Sequence, residues 1–164
     1  MKSTTRLLAT VLLAFPLSAM VGQAIAVEAG HDHAGAAHQT MELNNGQKWQ
    51  TDAPLRQGMG TLHEIVTSGL SGAHANQSTP ADYRQMSGKV MGQITYIVQN
   101  CKLAPDADAQ LHILLGNIAQ GAETMDGKVA GEQPETGLIK IAQALNSYGT
   151  YFDHPDWKAI NVAH

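Results

Sequence analysis

Tyr148–Trp157 reads YGTYFDHPDW, and the fold is decided by how the chain enters and leaves this stretch. Pro134 and Glu135 open the run that leads into it. Leu138, Ile141, Leu145, Tyr148 and Phe152 then recur at three- and four-residue steps, the apolar stripe of an amphipathic helix. Pro155 has no backbone N–H and disfavours helical geometry in the residue before it, so this helix is expected to stop at Asp153 or His154. An imidazole is thereby set at one end of whatever the helices build.

Three more helices are expected upstream. Asp52 is a good N-cap with Pro54 behind it, so helix one should run from about Pro54 to Ser68 on Leu55, Met59, Leu62, Ile65 and Val66. Gly69 to Ser78 reads as a glycine- and serine-bearing loop. Thr79 and Pro80 open helix two, whose stripe is Tyr83, Met86, Val90, Ile94, Ile97, Val98 and Cys101. Gly88 and Gly92 weaken it and are expected to permit close helix contact. Pro105 and Asp106 open helix three, with Leu111, Leu114, Leu115, Ile118, Ala122 and Met125 inward and Gly127 at its end. No run alternates with period two long enough to compete as a strand. The expected fold is all-α, an up-down-up-down four-helix bundle over residues 48–164.

The first residues read as an export signal. Lys2 and Arg6 precede an apolar run from Leu7 to Leu17, and Ala24-Ile25-Ala26 is a small-x-small cleavage site. Cleavage after Ala26 would leave a periplasmic protein with no stable membrane insertion, since the apolar run is too short to span a bilayer. Removing Lys2 and Arg6 from the 10 Lys+Arg leaves eight against 14 Asp+Glu, a formal charge of −6. An acidic chain without a basic cluster is a poor partner for nucleic acid. Residues 27–47 read as a flexible segment, and His31, Asp32, His33 and His38 in HDHAGAAH could capture transition metals. Cys101 is the only cysteine, so no disulfide forms within one chain; pairing through it, or through the bundle face, would give a homodimer.

The up-down topology gathers particular side chains. Met59, Cys101, His112 and His154 fall within roughly two turns of the same bundle end at about 1.5 Å rise per residue. His63 lies a turn deeper, and Trp49 and Trp157 could cover the opening. Asp108, four residues before His112, could orient its imidazole, as Trp157 and His63 could shape the surroundings. Thioether, imidazole and thiolate suit copper, so Met59, His112, His154 and Cys101 are the candidate metal ligands and a copper ion the favoured cofactor. The same residues fit plainer roles. Met59, Met86 and Met91 at helical spacing also read as core fillers, and His154 as a helix-end histidine favoured by the dipole. Two alternatives are a non-covalent b-type haem electron carrier with Met59 and His154 axial, and a non-catalytic interaction module whose histidines are structural. No nucleophile–base pair stands in a motif setting, so no enzyme is expected.

The strings KWQTDAPLRQGM (Lys48 to Met59), ADAQLHILL (Ala107 to Leu115) and YFDHPDW (Tyr151 to Trp157) are similar to a group of exported proteobacterial proteins, some labelled DnrO-like. That resemblance covers most of the mature chain. It implies the same helical fold, puts weight on Met59, His112 and His154, and brings no activity. The topology from Pro54 to His154 also resembles the soluble four-helix cytochromes of the bacterial periplasm. In their b-type members a Met early in helix one and a His late in helix four hold haem, the places of Met59 and His154. The c-type members attach haem through Cys-x-x-Cys-His, which this chain lacks, so covalent haem is disfavoured.

Overall fold

Among the described residues each helix carries a proline at its first or second position. The computed structural model describes residues 40–162; the export signal and His31, His33 and His38 lie outside the described residues. In chain order the elements are β1 (Trp49–Gln50), α1 (Ala53–His74), α2 (Pro80–Asn100), α3 (Pro105–Met125), α4 (Pro134–Tyr151) and β2 (Phe152–Asp153). Proline at the first turn costs no hydrogen bond, because that N–H has no partner within the helix. The Asp52 carboxylate accepts from the Leu55 N–H at 2.8 Å and caps α1. Thr79 and Asp82 close a reciprocal capping box on α2, with Thr79 N donating to Asp82 Oδ2 at 2.8 Å.

The helices pack in a ring, α1 on α2, α2 on α3, α3 on α4 and α4 on α1, which is the expected four-helix bundle. Leu55, Met59, Leu62, Ile97, Leu114, Ile118, Ile141, Leu145, Tyr148 and Phe152 are fully buried at its centre. Two polar side chains are buried among the described residues: Ser87 of α2 donates to the Ala122 carbonyl of α3 at 2.8 Å, and Thr124 of α3 donates to the Gln120 carbonyl of its own helix at 3.1 Å. Among the described residues no helix is long and apolar enough to cross a membrane.

The structure departs from the sequence expectations where two distant segments meet. Helix α1 does not stop at Ser68. It runs to His74, and Gly69 lies inside it, where a Cβ would meet Met86 Sδ at 2.7 Å and the Leu138 methyls at 3.2 Å. The expected close approach at Gly88 and Gly92 is not found; both face open space. It occurs instead between α3 and α4, where a Cβ on Gly121 would meet Ile141 Cγ1 at 2.6 Å and the Gly137 carbonyl at 2.9 Å. Val98, placed on the inward stripe of α2 by its spacing, is 57% exposed.

Helix α4 ends at Tyr151, earlier than Pro155 requires. Phe152 and Asp153 leave the helix to pair in parallel with Trp49 and Gln50, a short strand pair the sequence pattern did not show. The pairing sets the start of α1 beside the exit of α4. Thr51 Oγ1 reinforces it by donating to the Asp153 carbonyl at 2.6 Å. Residues 40–47 fall in the segment expected to be flexible, yet they are held. Asn44 and Gln47 exchange N–H···O bonds of 2.8 and 2.9 Å around Asn45 and Gly46, whose φ of 50° and 84° make the two-residue turn. Glu42 N donates to Gln110 Oε1 at 2.8 Å, and the Trp49 indole donates to the Glu42 carbonyl at 2.6 Å.

Beyond β2 the chain turns at Asp156 (φ 62°) and forms a strap along α1 and α4. Asn146 brackets the strap with two bonds, donating from Nδ2 to the Ile160 carbonyl at 2.9 Å and accepting from the Ile160 N–H at 2.7 Å. Ile160 is buried under it.

Candidate functional site

The end of α4 builds an aromatic cluster around Tyr148. Its ring stacks on Phe152 with centroids 5.3 Å apart, and Trp157 meets it edge-on at 4.8 Å. Trp157 can come this close because residue 149 is glycine: a Cβ there would lie 2.7 Å from the indole nitrogen. The indole also stands edge-on to His63 at 5.1 Å and tilted to His154 at 4.9 Å. Its N–H is buried and makes no hydrogen bond among the described residues.

His154 is fixed by this cluster. Its Nδ1 lies 3.0 Å from the Tyr148 hydroxyl, while Nε2 has no hydrogen-bond partner among the described residues. Burial pushes the His154 pKa below its ordinary value, and the Arg56 guanidinium and His63 push it in the same direction. The ring is therefore neutral at neutral pH. Burial also raises the Tyr148 phenol, which stays protonated and can donate to Nδ1 or accept from it. His154 shares a cleft of about 230 Å³ with His63, Glu64, Asp156, Trp157 and Lys158.

His63 is differently employed. Its partner at 3.0 Å from Nε2 is the Lys158 carbonyl, an acceptor, so Nε2 carries the proton and donates. Nδ1 lies 3.3 Å from Thr67 Oγ1, whose hydroxyl donates to the His63 carbonyl at 2.6 Å.

The other sequence candidates are placed as follows. Met59 is fully buried in the core, one turn before His63 on the same helix. His112 is on the surface, its side chain 62% exposed, with Nδ1 2.9 Å from the Asp108 carbonyl and 3.4 Å from the Asp108 carboxylate. The Asp108 pairing expected from the four-residue spacing is thus present, on an outward-facing ring. Cys101 donates from Sγ to Asp52 Oδ1 at 3.4 Å. Trp157 lies against both His63 and His154, whereas the Trp49 indole donates to the Glu42 carbonyl. Among the described residues no three His, Cys, Asp or Glu side chains form a metal-holding group. Tyr148 read in the sequence only as part of the apolar stripe of the last helix, and Glu64 and Asp156 carried no functional signal there. Gly149 makes room for Trp157 against Tyr148, but a helical glycine reads the same in sequence whether or not a group approaches it.

Burial and then Asp52 push the Cys101 thiol up to about 12. The thiolate is the nucleophile and the metal-binding form, so Cys101 remains an inert thiol at neutral pH. Alkylation of native protein by iodoacetamide at about pH 8 is expected to be on the order of a hundredfold slower than in denaturant. Equal rates would overturn this assignment.

No family model, no curated protein and no solved structure matches this chain.

Proposed function

We propose that this chain is an exported metal-binding protein whose principal ligand is His154, with copper the favoured ion. One observation carries the reading: a neutral imidazole, oriented at Nδ1 by Tyr148, leaves Nε2 for a cleft it shares with His63, Glu64 and Asp156. Metal binding needs the neutral ring. Ligating histidines pass their other ring N–H to an oxygen, and the Tyr148 hydroxyl stands where that oxygen is needed. Imidazole and carboxylate donors hold Cu(II) more firmly than the other divalent first-row ions. Cys101, kept protonated beside Asp52, and His112, turned to Asp108, are left out of this donor set. Met59 supplies a soft donor to copper only where the core around it opens, because it is fully buried. A haem between Met59 and His154 is disfavoured: Leu55, Met59, Tyr148 and Phe152 are all fully buried, and a porphyrin would have to displace them.

The test is calorimetric titration of the mature protein with Cu(II) in a His31→Ala, His33→Ala, His38→Ala background, so that those imidazoles do not contribute. We expect Kd near or below about 1 μM, weakened at least about tenfold by His154→Ala. Affinity unchanged by His154→Ala would overturn the reading. A second reading, an interaction module with structural histidines, is favoured by the bonds that His63 and His112 make to backbone carbonyls. On that reading His154→Ala lowers stability and no metal affinity is there to lose.

A further inference from the structure

We propose that metal occupancy of the cleft unlatches the C-terminal strap at Lys158, because the metal and the Lys158 carbonyl compete for the same nitrogen of His63. This rests on the metal reading above and adds its regulation. His63 lies against the strap, and it lines both the cleft with His154 and a second cleft beside Ile160. At present Nε2 is protonated and spends its proton on the Lys158 carbonyl. The lone pair is on Nδ1, which faces Thr67 of its own helix.

A metal that recruits His63 alongside His154 needs a lone pair on Nε2. The ring supplies it by changing tautomer: Nε2 gives up its proton to solvent and Nδ1 takes one, so no net proton is lost. Thr67 is already arranged to receive the relocated N–H. Its hydroxyl hydrogen is committed to the His63 carbonyl at 2.6 Å, which leaves its oxygen lone pairs for Nδ1–H at 3.3 Å. The ligating nitrogen is then backed by an oxygen on the far side of the ring. The Lys158 carbonyl has lost its donor. The strap keeps its other contacts, among them the Asn146 bracket at Ile160, the burial of Ile160 and the packing of Trp157 against Tyr148 and Gly149. Because binding and strap seating draw on one group, the coupling is reciprocal: loosening the strap must strengthen metal binding by the factor that metal binding loosens the strap.

The experiment is limited trypsinolysis of the mature protein, following cleavage after Lys158 by mass spectrometry, with and without saturating Cu(II). Lys158 is exposed, but cleavage requires the strap to lift. One lost hydrogen bond corresponds to a cleavage rate raised about fivefold by Cu(II). Asn146→Ala is expected to raise the metal-free rate and, by reciprocity, to tighten Cu(II) binding by a similar factor. If wild-type protein binds Cu(II) and cleavage after Lys158 is unchanged or slowed, the unlatching is wrong and the metal reading stands. If wild-type protein does not bind Cu(II), the metal reading fails and the unlatching with it. The wild-type comparison decides the matter even where Asn146→Ala does not fold.

Discussion

Gly137→Ala is expected to lower the unfolding free energy by about 3 kcal/mol, the upper end of what overpacking costs. A Cβ at 137 would lie 2.6 Å from the Met125 nitrogen and closer still to the Gly121 carbonyl. Both neighbours are backbone, so no rotamer change relieves the overlap. Helices α3 and α4 must separate, and the buried side chains across their contact, Ile118 and Ile141 among them, lose packing. Alanine's better helix propensity returns only about 1 kcal/mol. The control is the same substitution at Gly88, also inside a helix, where a Cβ meets nothing within 4 Å. There the propensity term acts alone, and a gain of up to about 1 kcal/mol is expected. Urea unfolding followed by circular dichroism measures both; midpoints shifted in opposite directions at constant slope are the expected result. A neutral Gly137→Ala would mean that α3 and α4 do not cross at Gly121 and Gly137.

That contrast shows what the sequence could and could not disclose. Helix starts were legible because their causes are local: a proline at the first turn behind Asp52 or Thr79 needs no knowledge of the rest of the chain. Glycines were not, because a helical glycine looks the same whether it faces solvent, as Gly88 does, or another backbone, as Gly137 does. The strand pair of Trp49–Gln50 with Phe152–Asp153 is two residues long on each side and joins segments about a hundred residues apart, so no periodicity reveals it. In the cleft, His154 and Trp157 stand in YFDHPDW, but the helix stops at Tyr151 and not at Asp153 or His154 as Pro155 implied, because Phe152 and Asp153 pair with Trp49 and Gln50. The partner of His63 was hidden, since a Lys158 carbonyl carries no residue-type signature. For His112 the spacing left the direction open. Its exposure follows from sitting beside Leu111 and away from the stripe that Leu111, Leu114 and Leu115 form.

Asp52→Ala is expected to cost about 3 kcal/mol, since one carboxylate joins two helix ends. Its Oδ1 accepts from the Leu55 N–H at 2.8 Å and caps α1; its Oδ2 accepts from the Lys102 N–H at 2.7 Å, just past the end of α2. Loss of the cap costs about 1 kcal/mol, and a charge-assisted bond to Lys102 somewhat more. The same geometry sets the sign of a pH effect. Burial raises the Asp52 pKa, but the bonds from the Lys102 and Leu55 N–H groups and from the Cys101 thiol outweigh it, and the net direction is down. A carboxylate whose folded pKa lies below its unfolded value stabilises the fold above the unfolded value, about 3.9, and loses that contribution as pH falls through the folded one. Wild-type stability is therefore expected to fall on acidification below about pH 4, and Asp52→Asn to fall less steeply there while being weaker at neutral pH. Asp52→Asn also removes the charge that, after burial, holds the Cys101 thiol up. Alkylation of native Cys101 should then be faster than in the wild type. A flatter acid limb together with faster alkylation would tie both effects to one carboxylate; a changed acid limb with unchanged Cys101 reactivity would break the assigned Asp52–Cys101 contact.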